Sequence, residues 1–172
     1  MNLNYVIDRM GANARIFKSL VKDISAEQAR WKPAPDKWSM LEVVNHLYDE
    51  EREDFRQRLE LVLTDPALGW PPIAPQEWVK TRAYGERDLN ESLDNFLRER
   101  QKSLAWLGGL KSPKLESRHE REAGSLRAGD LLASWLAHDF LHVRQLTRLQ
   151  WQYLTAIASP FQTDYAGPWK ES

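Results

Sequence analysis

An all-α fold, a four-helix bundle with long connecting loops and a C-terminal extension, is predicted by three observations on this sequence. Apolar residues recur at helical spacing over four long stretches, Ser and Asp capping patterns mark helix starts, and no stretch alternates with the period of a strand. Leu3, Ile7, Met10, Ala14, Phe17, Val21 and Ile24 repeat in steps of four and three, which predicts a first amphipathic helix over about residues 2–24. "SAEQ", Ser25 to Gln28, is a capping-box pattern and opens one or two turns before Pro33 and Pro35. "SMLE", Ser39 to Glu42, is another, and Val43, Val44, Leu47, Phe55, Leu59 and Val62 carry the second long helix from about 39 to 63, ahead of Asp65-Pro66.

Residues 65–86 hold Pro66, Pro71, Pro72 and Pro75 and are expected to form a long ordered loop with at most a short helix near Trp78. A loop of that length inside a compact domain is usually functional or a lid, and it permits a crossover. "DLNE" at 88–91 caps a third long helix bearing Leu89, Leu93, Phe96, Leu97, Leu104 and Leu107, closed by Gly108-Gly109. Residues 110–124 are polar without a clear period. The fourth helix is expected from about Ser125, with a stripe of Leu131, Trp135, His138, His142, Gln145 and Leu149, and a tail over 151–172 begins helical and ends extended in "DYAGPW".

A chain of 172 residues is read as one domain, 1–172. At that size roughly 70% of the unfolded surface can be buried, so a metal would be functional before it is structural. A net charge of −1 and a pI near 6.4, with no Lys/Arg block, argue against nucleic-acid or membrane surfaces as partners. The partners expected are a small-molecule substrate and a second copy of the chain, because the apolar stripe of the first helix could serve a homodimer as well as a monomer's core. Asp8, Arg9, Asn13, Arg15 and Lys18 interrupt the N-terminal stretch, so it fits neither a signal peptide nor a membrane span, and a cytoplasmic location is expected. With no cysteine, thiolate metal sites and a protein thiol nucleophile are excluded, which leaves histidine and carboxylates for metal work. The 8 tryptophans include several in Pro-rich loops ("RWKPAPDKW", "GWPP", "GPW"), where rigid rings are expected to close over a core.

"HDFLH" at 138–142 stacks two imidazoles on one helix face, with Cβ atoms roughly 5–6 Å apart. Both share the stripe of Leu131, Trp135 and Leu149 and point inward, where helix carbonyls are already taken and an ion would satisfy the ring nitrogens. His46 lies roughly 60° from Val43, at the shoulder of the second helix's buried face. Three histidines from two facing helices form a triad with open coordination, the arrangement of catalytic rather than closed structural sites. Imidazole suits zinc, nickel, iron and copper, so the triad does not select the metal. The zincin and di-iron patterns do not fit: Asp139 stands where His-Glu-x-x-His needs Glu, and paired Glu-x-x-His motifs are missing. His119, within "ESRHERE", reads as part of a solvated charge cluster.

"KWSMLEVVNHL" (37–47) and "HDFLHVRQL" (138–146) resemble the two histidine-bearing helices of the DinB/YfiT-like metalloenzymes, and the likeness extends to "GWPP" and "DYAGPW". The resemblance implies His46, His138 and His142 as the metal triad, Trp38, Ser39 and Glu42 as the helix-start motif, and Gln145 as the trailing glutamine. It further implies a bundle, often dimeric, holding nickel or zinc, with some members acting as thiol-dependent S-transferases or isomerases; the function expected here is that of a metal-dependent enzyme of thiol-dependent S-transferase or hydrolase type. Lacking Cys, this chain would take its thiol from a low-molecular-weight thiol cofactor. Glu50 is the candidate fourth ligand or base, and Asp139 a candidate catalytic or ligand-orienting carboxylate; Arg144 and Gln145 are candidates for holding cofactor or substrate. A metal-stabilised interaction module without turnover is the alternative, since function lives in the site rather than the fold.

Overall fold

The computed structural model describes residues 2–170; the last two residues of the expected tail lie outside them. Helix α1 (Leu3–Val21) starts at Asn2, whose side chain accepts from the backbone N–H of Asn4 at 2.9 Å. Helix α2 (Ala26–Arg30) is the short one that Ser25 caps through Gln28 N–H. The second long helix is a continuous rod in three parts: α3 (Met40–Asp49), a π-helical segment (Glu50–Phe55) and α4 (Arg56–Thr64). Its capping box closes as expected, Glu42 N–H donating to Ser39 Oγ at 3.2 Å and Ser39 N–H to Glu42 Oε2 at 2.7 Å. The loop carries α5 (Pro75–Thr81) and a 3₁₀ turn at Tyr84–Glu86, after which come α6 (Leu89–Gly109) and α7 (Ala128–Ile157).

Around the bundle α1 packs on α6, α6 on the rod, the rod on α7 and α7 on α1. The sequence neighbours α1 and the rod, and α6 and α7, therefore lie on the diagonals, whereas the rod and α6 are adjacent. One apolar cluster joins Phe17 and Val21 of α1 to Leu41 and Leu47 of α3, Leu93 of α6 and Leu146 of α7; the other joins Val6 and Met10 to Leu59, Leu107, Leu132 and Trp135. Each cluster takes the N-terminal half of two helices and the C-terminal half of the other two. The directions that follow are up for α1 and α7, down for the rod and α6. Because the rod and α6 run parallel, residues 65–88 must return the chain along the full rod, and the packing of α5 and the 3₁₀ turn on α3 marks that path. A helical tight turn could not make this connection.

Between the two apolar clusters lies a buried charged node. Arg100 of α6 forks onto Glu51 of the π segment (Nε and Nη2, 2.8 Å each) and onto Asp139 of α7 (Nη1 and Nη2, 2.7 Å each). Asn13 of α1 donates to Asp139 at 3.1 Å and Trp135 Nε1 to Glu51 at 3.0 Å, so all four long helices contribute.

The structure corrects two expectations. Residues 118–127 hold a short antiparallel pair, β1 (Arg118–His119) with β2 (Leu126–Arg127), turned through Gly124 at φ 102°, so α7 begins at Ala128 rather than near Ser125. His119 is buried, not solvated: its ring stacks on Trp70 with centroids 4.4 Å apart, and its Nδ1 lies 2.9 Å from Pro66 O. The two-residue ladder fixes which way that side chain faces, a relation that local charge density does not reveal. The tail contains a 3₁₀ turn at Asp164–Ala166, and Trp169 returns to within 5.8 Å of Trp151 on α7. No helix among the described residues is long and apolar enough to cross a membrane.

Candidate metal centre

His46 sits on the second turn of α3, and His138 and His142 sit one turn apart on α7. The capping box fixes where α3 starts, and so fixes the angular position of His46 against α7. The three rings converge through their Nε2 atoms, His138 Nε2 lying 3.3 Å from His46 Nε2 and 3.0 Å from His142 Nε2. Among the described residues these three offer ligating nitrogens that all lie within 4.8 Å of one another. A four-coordinate ion with bonds of about 2.0–2.1 Å needs its ligand nitrogens about 3.3 Å apart. Two of the spacings, 3.3 and 3.0 Å, lie close to that value and the third stays within 4.8 Å, and imidazole lone pairs aimed at one another are otherwise a poor arrangement.

The protonation states also suit ligation. Burial pushes His46 down to about 3, with the His142 ring adding to the effect, and pushes His138 down to about 2, again with His142 and His46 nearby. His142 is lowered by burial too, against the opposing hydrogen bond from Gln145 and the charge of Asp139. All three are neutral at pH 7 and carry a free lone pair. Gln145 Oε1 accepts from His142 Nδ1–H at 2.7 Å, which leaves Nε2 of that ring unprotonated and pointed at its neighbours. His46 Nδ1 is buried without a hydrogen-bond partner and faces Glu50 Oε1, likewise unpartnered, at 3.9 Å.

Glu50 therefore approaches the Nδ1 edge of His46 rather than the Nε2 edge that meets the other rings. Burial raises its carboxyl to about 8, with the hydrogen bond and charge of Asp54 adding to the rise, so at pH 7 it is largely neutral. Its position in a π-helical segment has a physical origin. The wider turn gives buried places to Glu50, Glu51, Asp54 and Phe55 together, and such segments often accompany function. Asp139 is fully buried and engaged by Arg100 and Asn13, away from any open hollow. Arg144 is exposed on the outer face of α7 and is not among the residues lining the hollow above the histidines.

That hollow has a volume of about 400 Å³ and is floored by His46 and His142 and walled by Trp38, Lys37, Gln76 and Gln145. Trp38 lies 4.9 Å from the His46 ring, and Gln76 arrives on α5, carried there by the returning loop. Sequence reading placed Gln145 but not Gln76 or the Trp38 wall, since neither sits in a periodic pattern. The Arg100 node did leave a signal: Arg100 falls four residues after Phe96 and Glu51 four after Leu47, charges at core-facing phases.

Three comparisons bear on this geometry. The sequence pattern of the DinB superfamily matches residues 10–146, a span that contains all three histidines. No curated protein matches the chain. YfiT from Bacillus subtilis, described as a probable metal-dependent hydrolase with an unusual four-helix bundle topology, is a similar solved structure with a TM-score of 0.77 and 18% identity, covering 88% of this chain and 87% of that one. At that identity the likeness speaks for the fold alone.

Proposed function

The chain belongs to the DinB superfamily, and from that premise we propose that it is a metal-dependent enzyme acting on a small molecule, with His46, His138 and His142 holding one divalent ion, nickel or zinc. The observation that carries the reading is the convergence of three neutral Nε2 atoms at spacings of 3.0 and 3.3 Å, two of their rings flooring an open hollow. A divalent ion in such a three-histidine set, with a position left for a guest, supplies Lewis-acid activation of a water or a thiol at neutral pH.

The chain's own residues do the rest. Gln145 holds His142 in the ligating tautomer, and Glu50 is the carboxyl that faces the Nδ1 edge of His46, 3.9 Å away, where its ionised form would accept from Nδ1–H and favour the same tautomer. Trp38 and Gln76 wall the hollow and limit water beside the rings. The chemistry proposed is of the hydrolase type described for YfiT, or transfer to a low-molecular-weight thiol, which must come from outside because the chain has no cysteine. Elemental analysis of purified protein is the test, followed by hydrolysis and thiol-conjugation assays before and after chelation. One divalent ion per chain, lost in His46→Ala and His142→Ala with the turnover, is expected; turnover that survives chelation would overturn the reading.

A further inference from the structure

Beside the hollow above the histidines lies a second one of about 350 Å³, and the two share Lys37, Trp38 and Gln145. Its apolar walls are Pro33, Ala34 and Trp38 from the loop before α3, and Leu149 of α7. Lys37 and Arg148 can add their aliphatic stems to these walls, and Gln145 and Gln152 complete the lining, which holds no carboxylate. Among the described residues, none of the buried polar side-chain atoms that lack a hydrogen-bond partner belongs to this lining, so no buried group there demands a polar guest.

The loop side of the hollow is already built. Lys32 Nζ reaches Glu42 Oε1 at 2.6 Å, Lys37 N–H donates to Ala34 O at 3.0 Å, and the Trp38 ring packs 4.9 Å from that of His46. Pro33 and Pro35 fix the backbone on either side of Ala34. A guest thus meets a formed apolar slot and spends little free energy on ordering it. Helix geometry sets the other side. Leu149 lies seven residues beyond His142, ~10 Å along the axis and close to the same phase, so the slot leads from the ligating ring along α7 with Gln145 at the junction.

We propose that the second hollow is the specificity pocket of this site, and that the molecule it takes carries an uncharged alkyl or aryl arm. The arm lies between Trp38, Pro33, Ala34 and Leu149, and the reacting group sits ~10 Å away over His46 and His142. The placement of the reacting end rests on the metal-centre reading. The arm's slot stands on the second hollow by itself, so the two can fail separately.

The probes are acetohydroxamate, butanohydroxamate, hexanohydroxamate and octanohydroxamate, a metal-binding head with a lengthening arm, titrated by calorimetry into zinc-loaded wild type, Ala34→Trp and Ala34→Asp. Ala34 is a half-buried loop residue outside the apolar clusters, so Trp there fills the slot and Asp charges it while the core stays intact. A fully buried methylene is worth about fourfold in affinity. Octanohydroxamate is expected to bind wild type at least thirtyfold tighter than acetohydroxamate. Both variants should cut that gain below fivefold while acetohydroxamate binds within twofold of wild type. A gain below threefold in wild type, or a full gain retained in both variants, overturns the proposal. If the protein retains no metal and acetohydroxamate does not bind, the metal reading falls, and 4-phenylbutan-1-ol decides the slot by ligand-observed NMR on metal-free protein. Millimolar binding that Ala34→Trp and Ala34→Asp abolish upholds the slot; no binding, or binding that both variants keep, overturns it.

Discussion

Arg100→Met tests whether the buried node is what holds the two ligand-bearing helices in register. The guanidinium is 1% exposed and makes four charge-assisted bonds of 2.7–2.8 Å to Glu51 and Asp139, which are themselves 1% and 0% exposed. Met fills much of the same volume but leaves two carboxylates in the core with Asn13 Nδ2 and Trp135 Nε1 as their donors. Breaking a buried pair in this way costs about 3–5 kcal/mol, a large share of the roughly 5–15 kcal/mol that stabilises a typical domain. For a chain of this length that is a fall in Tm of ~6–20 °C. Urea titration followed by circular dichroism on metal-free protein measures it. The triple variant Arg100→Met, Glu51→Gln, Asp139→Asn removes the stranded charges and should recover part of the loss. A loss below about 1 kcal/mol for Arg100→Met at unchanged m-value would refute the reasoning. Because Glu51 follows His46 by five residues and Asp139 adjoins His138, metal affinity should fall in parallel with stability.

Three further outcomes follow from the site. Gln145→Leu removes the acceptor that sets the His142 tautomer, and metal affinity by competition with a chelator should drop ~10–100-fold while the melting curve of the metal-free protein moves little. Glu50 is held near 8 by burial, so the folded protein binds a proton there that the unfolded chain releases above its ordinary range; this stability is complete below about 4.5 and is lost as pH rises toward 8. Thermal melts should therefore show Glu50→Gln gaining on wild type from pH 5 to pH 8 by up to ~1.4 kcal/mol per pH unit, and a flat difference would mean that the carboxyl is already ionised. His46 and His138 have the opposite sign: they stay neutral in the fold while the unfolded chain takes up protons below 6.5, so metal-free protein should lose stability as pH falls from 6.5 toward 3, and a His138→Leu variant should lose it less steeply.

Helix positions were legible in the sequence because their causes are local. Ser25, Ser39 and Asp88 cap the helices that their patterns announce, and the apolar stripes fill the two clusters. The triad was legible for a similar reason: His138 and His142 are neighbours by helix geometry, and His46 stands on a buried phase of a capped helix. What a periodic pattern cannot carry is the π segment, in which one added residue per turn redirects Glu50, Glu51 and Asp54, or the burial of His119 by a two-residue ladder and Trp70.

By itself the sequence determined the four helices, the starts of the first three and the identity of the three converging histidines, since hydrogen-bond capping and 3.6-residue periodicity act within one segment. Tertiary structure alone decided the up-down-down-up order of α1, the rod, α6 and α7, the node at Arg100 and the hollow above His46 and His142. Each of these depends on which helices become neighbours, and that is settled by burying two apolar clusters at once while Arg100 between them pairs with Glu51 and Asp139.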